Sequence, residues 1–294
     1  MRIVLFFLTM WLVAATVNAQ NSNSCGLMVM AHGGSDQWNT AVESAVMPLR
    51  EEFPVAIAFG MANPVTMKAA VTELEEQHVD CIAVVRLFVS SHSFLHQTEY
   101  LLGLREDPPA FFISHGSHAH HGSKPVPLEL SSSVIISETA LLDAPEMGEV
   151  LAANALALSD SSGAESVIII AHGAGDDKVN AEWIQKLDLL ADSVRTTGIF
   201  NEVAVHSLRE DWEEKRAKSE KEIRQFVETY SQNNGRTIVL PFRLYGLGPY
   251  EEVLDGLAYK SNGRGLLPSP AVTEWIRRTA NELFVELEEI ASAE

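Results

Sequence analysis

The sequence predicts an α/β protein of two tandem domains, each a small parallel sheet flanked by helices. The first reason is an internal repeat, because LMVMAHGG at 27–34 returns as VIIIAHGA at 167–174. Each copy is an apolar run that ends in a histidine and a turn of small residues, and the copies lie almost half a chain apart. A repeat at that spacing indicates two related domains. The second reason is that strand-like and helix-like segments alternate, which is typical of parallel sheets with helical crossovers.

The first half of the chain predicts four strands and four helices in alternation. We expect strands at 27–31, 55–59, 82–89 and 133–137, and helices at 38–52, 64–77, 96–104 and 145–158. Each helix either shows apolar residues at helical spacing or has a start signal. Asn63 followed by Pro64 is such a signal, since an asparagine caps a helix and a proline is tolerated at its first position.

The second half predicts the same order. We expect strands at 166–171, 202–207 and 236–242 with a short last strand at 265–267, and helices at 180–196, 212–231, 249–257 and 270–289. The two domains are then 25–158 and 164–290, joined by a polar link at 159–163. With 294 residues, of which 46% are hydrophobic, the chain can fill two cores of ordinary size.

The net charge and the amino-terminal segment limit which partners are expected. The net charge of −19 argues against nucleic acid and anionic lipid as partners. Residues 1–19 predict a secretory signal, with Arg2, an apolar stretch and a cleavage position after Ala19. An uncleaved anchor is the alternative, although the apolar stretch is short for a membrane span. We therefore expect an exported, periplasmic protein that is free of the membrane after cleavage, while its oligomeric state is left open.

The two cysteines each precede a predicted strand. Cys25 comes just before the first strand and Cys81 just before the third. If these strands are neighbours, the thiols lie side by side at the amino-terminal edge of the sheet, which predicts a disulfide in an oxidising compartment. The alternative is two unpaired thiols, which would follow if their Cα atoms were more than about 7 Å apart.

Histidines follow two strands that should be adjacent. His32 follows the first strand, and His92 and His96 follow the third, so all three should converge on one edge of the sheet. Imidazole binds Zn²⁺, Co²⁺, Ni²⁺ and Fe²⁺ well and accepts a proton near neutral pH. The alternative interpretation is that a strand-end histidine is a hydrogen-bonded structural residue. His172 and His206 are secondary candidates in the second half.

Other motifs carry less chemistry. A histidine-rich loop is either a metal-gathering loop or a solvated tract, and its histidines are His115, His118, His120 and His121. The turn at 33–36 could hold an anion at a helix start. Because the chain has no glycine-rich phosphate loop with a lysine, we expect no nucleotide cofactor.

Three segments resemble a known family. The sequence MAHGGS at 30–35 resembles the start of the class II chelatases, closest to the sirohydrochlorin cobaltochelatase and ferrochelatase group. The apolar run at 84–91, followed by HQTE at 96–99, resembles that family's second signature, and EMGEVL at 146–151 resembles its closing helix. The similarity extends over about 27–284. It implies two flavodoxin-like domains and ATP-independent insertion of Co²⁺, Fe²⁺ or Ni²⁺ into a sirohydrochlorin-type tetrapyrrole, a reaction of cobalamin biosynthesis.

By position, His32 and His96 match the family's metal-binding and catalytic histidines. His92 is the substitute, because the turn is about two residues longer here. In the second half Gly248 stands in the place of the second histidine, which implies one working site in the first domain and a second domain that acts as a lid and a wall. Glu99 is expected to act as a second base or to orient His96.

Family substrates carry many carboxylates, so the resemblance also implies cationic and polar contacts. We expect Arg86, which stands where the family usually has proline, to be the best-placed counter-charge, and the other candidates are Lys68, Arg105, Arg209 and Arg243. Ser35, Ser90 and Ser91 are expected to contact the substrate. An exported protein that binds a metal or a tetrapyrrole without turnover is the alternative function, and a relic without either activity is a third.

Overall fold

The computed structural model describes residues 24–109, 126–160, 163–232 and 235–293. The predicted signal at 1–19 and the histidines of the 115–121 loop lie outside these ranges. The strands are β1 (Cys25–Ala31), β2 (Val55–Phe59), β3 (Cys81–Leu87), β4 (Ser133–Ile136), β5 (Glu165–Ala171), β6 (Glu202–Ser207) and β7 (Arg236–Phe242). The helices are α1 (Asp36–Val46), α2 (Pro64–Glu75), α3 (Leu95–Leu101), α4 (Glu146–Leu158), α5 (Asp177–Arg195), α6 (Glu213–Tyr230), α7 (Tyr250–Val253) and α8 (Pro270–Ala293).

The strands form two parallel sheets. The first has the order β2-β1-β3-β4 and the second the order β6-β5-β7. Both sheets are flanked by helices, so the predicted fold class is confirmed. The strand predicted at 265–267 is wrong, since these residues are not in a strand. An isolated parallel bridge between Ile238 and Lys260 lies beside β7 instead. The helix predicted at 249–257 is also shorter, because only α7 is helical there.

The register of β1 and β3 aligns the two strands at both of their ends. Cys25 pairs with Cys81 at one edge, and Ala31 pairs with Leu87 at the other. The cysteines are joined by a disulfide with a Cα–Cα distance of 4.5 Å. At the opposite edge, His32 comes one residue after β1 and therefore lies beside the end of β3.

The final helix packs on the first half of the chain. The side chain of Thr273 in α8 donates to the backbone carbonyl of Ala45, and Arg277 forms an ion pair with Glu52 at 2.9 Å. Trp275, which is 1% exposed, belongs to an apolar cluster shared by both halves. The packing therefore crosses the division of the chain at 159–163.

The closing helix of the first half contacts the second half in turn. α4 lies along α5, where a Cβ on Gly148 would be 3.0 Å from the carbonyl oxygen of Leu190. Arg278 in α8 pairs with Glu146 at the start of α4. These contacts join the two halves through three helices. Within the described ranges, no helix has the length and apolarity needed to cross a membrane.

Candidate functional site

His32 lies on the exposed turn that follows β1. Its Nδ1 is 2.6 Å from the carbonyl oxygen of Gly33. Because a carbonyl oxygen only accepts, Nδ1 carries the proton and the lone pair of the neutral ring is on Nε2. The turn is held by Trp38, whose indole N–H donates to the carbonyl oxygen of His32 at 2.6 Å and whose ring centroid lies 5.9 Å from the imidazole centroid.

His96 is exposed on the first turn of α3. Its Nδ1 lies 2.9 Å from Oε2 of Glu99, three residues further along the helix. The carboxylate accepts from Nδ1–H, which again leaves the lone pair on Nε2. Arg105 lies 3.8 Å from the same carboxylate oxygen. The side chain of His96 is 59% exposed and that of Glu99 is 25% exposed, so the pair is accessible to a solute.

Arg86 is not an accessible counter-charge, and this expectation is wrong. The residue is fully buried in β3, and its guanidinium donates to the carbonyl oxygens of Ser137, Ser91 and Ser93. Burial lowers the pKa of Arg86 to about 10, while the negative charge of Glu99 and of other carboxylates opposes the shift. The arginine therefore holds the turn that leads from β3 to α3. It acts inside the protein and not on its surface.

The serines expected to contact the substrate each take part in a local turn or cap. Ser35 caps α1 by accepting from the backbone N–H of Trp38. Ser90 is buried, and its hydroxyl accepts from the backbone N–H of His92, so it is not the predicted substrate contact. Ser91 is half-buried and offers its carbonyl oxygen to Arg86.

Among the described residues, His32, His92 and His96 do not gather into a three-ligand centre. Within the residues that the structure describes, no group of three or more His, Cys, Asp or Glu side chains is close enough to hold one metal ion. His32 and His96 follow neighbouring strands, while His92 is an exposed residue of the turn between β3 and α3. The prediction that His32 and His96 bind one metal ion, with His92 as the substitute for His96, therefore stays a prediction of a site with fewer than three ligands among the described residues.

The second half repeats the first histidine in a different environment. Nδ1 of His172 contacts the carbonyl oxygen of Gly173, as Nδ1 of His32 contacts that of Gly33. Its Nε2 lies 3.3 Å from Oδ2 of Asp211 and 3.9 Å from Oε2 of Glu210. Because two carboxylates already lie near Nε2 of His172, this nitrogen is less accessible to a new ligand than Nε2 of His32.

His206 does not join His172. It lies within β6 and faces α6, where its ring is 6.3 Å from the ring of Phe226. Burial lowers the pKa of His206, and the charge of Glu222 opposes this shift. The residue lines a surface cavity of about 560 Å³ between α5 and α6. The two secondary histidines of the sequence prediction thus belong to separate places.

Among the remaining candidate cations, Arg243 lies over Trp38, the residue that holds the turn of His32. Lys68 is exposed on α2, and the guanidinium of Arg209 is occupied by Asp177 and by backbone carbonyls. Arg243, just after β7, places its guanidinium carbon 5.6 Å from the ring centroid of Trp38. The sequence indicated Arg243 as a candidate cation but not what it contacts, and it did not single out Trp38. No local pattern shows that two distant residues stack.

The fold is that of the chelatases. No family model and no curated protein matches the chain. Solved structures do match: SirB from Bacillus subtilis with Fe³⁺ aligns with a TM-score of 0.62 and 13% identity, over 87% of this chain and 96% of that one. The sirohydrochlorin chelatase SirB from Bacillus subtilis subspecies spizizenii, in complex with cobalt, aligns with a TM-score of 0.55 and 12% identity, over 88% and 96%.

A third structure shows the same fold inside a larger protein. A multi-domain protein from Deinococcus radiodurans, with structural similarity to chelatases and two additional domains, aligns with a TM-score of 0.50 and 17% identity. The alignment covers 88% of this chain and 54% of that protein, so the chain spans about half of its length. At these identities the similarity establishes a chelatase-like fold.

Proposed function

We propose that this protein is an ATP-independent chelatase that inserts a divalent metal ion, Co²⁺, Fe²⁺ or Ni²⁺, into a sirohydrochlorin-type tetrapyrrole. The observation that carries the proposal is the state of two imidazoles. His32 directly follows β1, and His96 lies on α3, the helix that follows β3; each commits Nδ1 to an acceptor and leaves Nε2 with its lone pair. Sheets of this kind place their sites at the edge where their strands end.

The proposed chemistry balances two protons against one metal ion. The metal is a substrate: M²⁺ enters the ring and replaces two pyrrole N–H protons, which leave. An Nε2 lone pair can hold a partly desolvated metal ion and then accept one of these protons. Glu99 stabilises the resulting imidazolium of His96 through the Nδ1–H contact at 2.9 Å. A site with few protein ligands leaves coordination positions for the ring nitrogens.

The test is an insertion assay with the mature protein. Metal-free sirohydrochlorin and Co²⁺, Ni²⁺ or Fe²⁺ are mixed with wild type, His32→Ala, His96→Ala and His78→Asn, and the metallated product is followed by absorbance. We expect both alanine variants to lose insertion and to keep the wild-type melting temperature. His78 is the matched control, because it is an exposed histidine with a φ of 62°, a backbone conformation that asparagine tolerates. Full turnover in both alanine variants would contradict the proposal.

A second candidate function is binding of the metal or the ring without turnover, in a protein that we propose to be exported to the periplasm. The predicted signal at 1–19 favours this alternative, because tetrapyrrole synthesis is expected in the cytoplasm and an exported protein would act outside that compartment. The same assay separates the two functions. Spectral changes of the bound ring without metallated product would favour binding alone.

A further inference from the structure

Arg243 brings a positive charge from the second half of the chain to the turn of His32. Its guanidinium carbon lies 5.6 Å from the ring centroid of Trp38 and 5.7 Å from that of Tyr250, so the cation is stacked between one ring from each half. Trp38 in turn donates its indole N–H to the carbonyl oxygen of His32. Trp38 therefore neighbours both the guanidinium and the candidate metal-binding histidine.

Among the described residues, the guanidinium of Arg243 forms no ion pair, although Glu210 lies near Tyr250 on one side of it. In the described part of the chain, no carboxylate lies within 4.0 Å of its guanidinium nitrogens. Its Nε is buried and has no acceptor there, and Nη1 reaches only the carbonyl oxygen of Leu247, at 3.4 Å. A buried N–H without an acceptor is unfavourable. By contrast, the fully buried Arg86 has an acceptor for Nε and for each Nη.

The surrounding backbone is shaped around this guanidinium. Gly248 has a φ of 56°, and a Cβ added to it would overlap Nη1 of Arg243. Gly248 stands where the chelatase resemblance has its second histidine. The glycine at the position where the resemblance implies a histidine therefore leaves the space in which the arginine side chain lies.

We propose that Arg243 binds a peripheral carboxylate of the ring substrate and thereby selects carboxylated rings. This inference rests on the proposed function. A guanidinium presents a planar pair of N–H donors that fits a carboxylate, and the stacking on Trp38 and Tyr250 restrains its orientation before the substrate arrives. In a chain with a net charge of −19, an unpaired cation beside the site is the group that attracts an anionic substrate.

The experiment measures binding of the metal-free ring, so that it does not depend on insertion. Sirohydrochlorin is titrated into wild type, Arg243→Gln and Arg50→Gln, and a ring with its carboxyl groups converted to amides is titrated in parallel. We expect Arg243→Gln to weaken sirohydrochlorin binding by about tenfold or more and to change the affinity for the amide ring by less than about twofold. Arg50 is the charge-matched control, because it is half exposed and pairs only loosely with Glu73, at 3.8 Å.

Each outcome separates this inference from the function on which it rests. Equal affinity of wild type and Arg243→Gln for sirohydrochlorin overturns the inference alone. Equal weakening for both rings also overturns it, because a structural role of Arg243 would act on either ligand. If the wild type binds no ring at all, the proposed substrate fails and this inference fails with it. If Arg243→Gln does not fold, Arg243→Lys serves instead, and a loss of about threefold or more, confined to sirohydrochlorin, is expected since the paired N–H geometry is lost.

Discussion

The hydroxyl of Thr273 in the last helix donates to the carbonyl oxygen of Ala45 in the first helix, at 2.8 Å. This contact is buried and joins residues from opposite ends of the chain. It belongs to the surface on which α8 covers the first sheet. Because α4 lies on α5 of the second half at the same time, each half contributes a helix to the other. We therefore expect the two halves to unfold in one cooperative transition.

Thr273→Val tests the contribution of that hydrogen bond. We expect the free energy of unfolding to fall by about 1 kcal/mol, measured by urea denaturation, because the substitution keeps the shape and removes the donor. Thr279→Val is the matched control on the same helix. The hydroxyl of Thr279 is buried and has no partner among the described residues, so a methyl group there should be neutral or stabilising. Equal losses in the two variants would contradict this account.

Arg86→Met tests the buried arginine. The substitution leaves the carbonyl oxygens of Ser137, Ser91 and Ser93 without their donor, so we expect a loss of about 3 kcal/mol in guanidinium denaturation. The control Arg50→Met removes an exposed arginine and should cost less than about 0.5 kcal/mol. A stable Arg86→Met variant with weakened ring binding would instead restore Arg86 as a substrate contact.

Glu99→Gln tests the partner of His96. The amide oxygen can still accept from Nδ1, but it no longer stabilises an imidazolium, so we expect kcat for insertion to fall about 10- to 100-fold. Melting temperature should remain within about 2 °C of wild type, because the carboxylate is partly exposed. Glu76→Gln, at an exposed position on the end of α2, is the control. An unchanged kcat would remove Glu99 from the mechanism.

His206 should make stability depend on pH. Burial holds its pKa below the ordinary value of 6.5, so the unfolded chain binds this proton more readily than the folded protein. The stabilisation is present above about pH 6.5 and is lost as the pH falls through the lowered pKa of the folded state. We expect the difference in unfolding free energy between wild type and His206→Gln to shrink from pH 7.5 to pH 5. A constant difference would contradict a burial effect.

Gly148→Ala tests the close contact of α4 with α5. The added methyl group would lie 2.5 Å from Oγ of Ser193 and 3.0 Å from the carbonyl oxygen of Leu190, so we expect a loss of about 1–3 kcal/mol by thermal or urea denaturation. Ser193→Ala in the same chain should restore part of that stability, because it removes the nearer atom. No rescue would place the strain at the backbone of Leu190 alone.

The sequence predicted the sheets well and the polar contacts poorly. Alternating apolar segments indicated the strands of both sheets. The resemblance implied that Glu99 orients His96, and the two side chains are in contact on α3. The predicted role of Arg86 was wrong, because the pattern shows where a residue stands in a strand but not what its side chain reaches. The strand expected at 265–267 was also wrong. The backbone N–H groups of Leu266 and Leu267 do donate to the carbonyl oxygens of Arg243 and Leu244, but these bonds lie beyond the end of β7 and the residues are not in a strand.

By itself the sequence determined the repeat, the alternation of strands and helices and the two histidines that follow β1 and β5, because these depend on residues close together along the chain. Tertiary structure alone decided which half each terminal helix covers and which arginine lies over Trp38, beside the turn of the first histidine. Arg243 and Trp38 are about two hundred positions apart, and their approach depends on the packing of α4 and α8 between the sheets. Packing between distant segments is a balance over many contacts at once, and no local pattern encodes it.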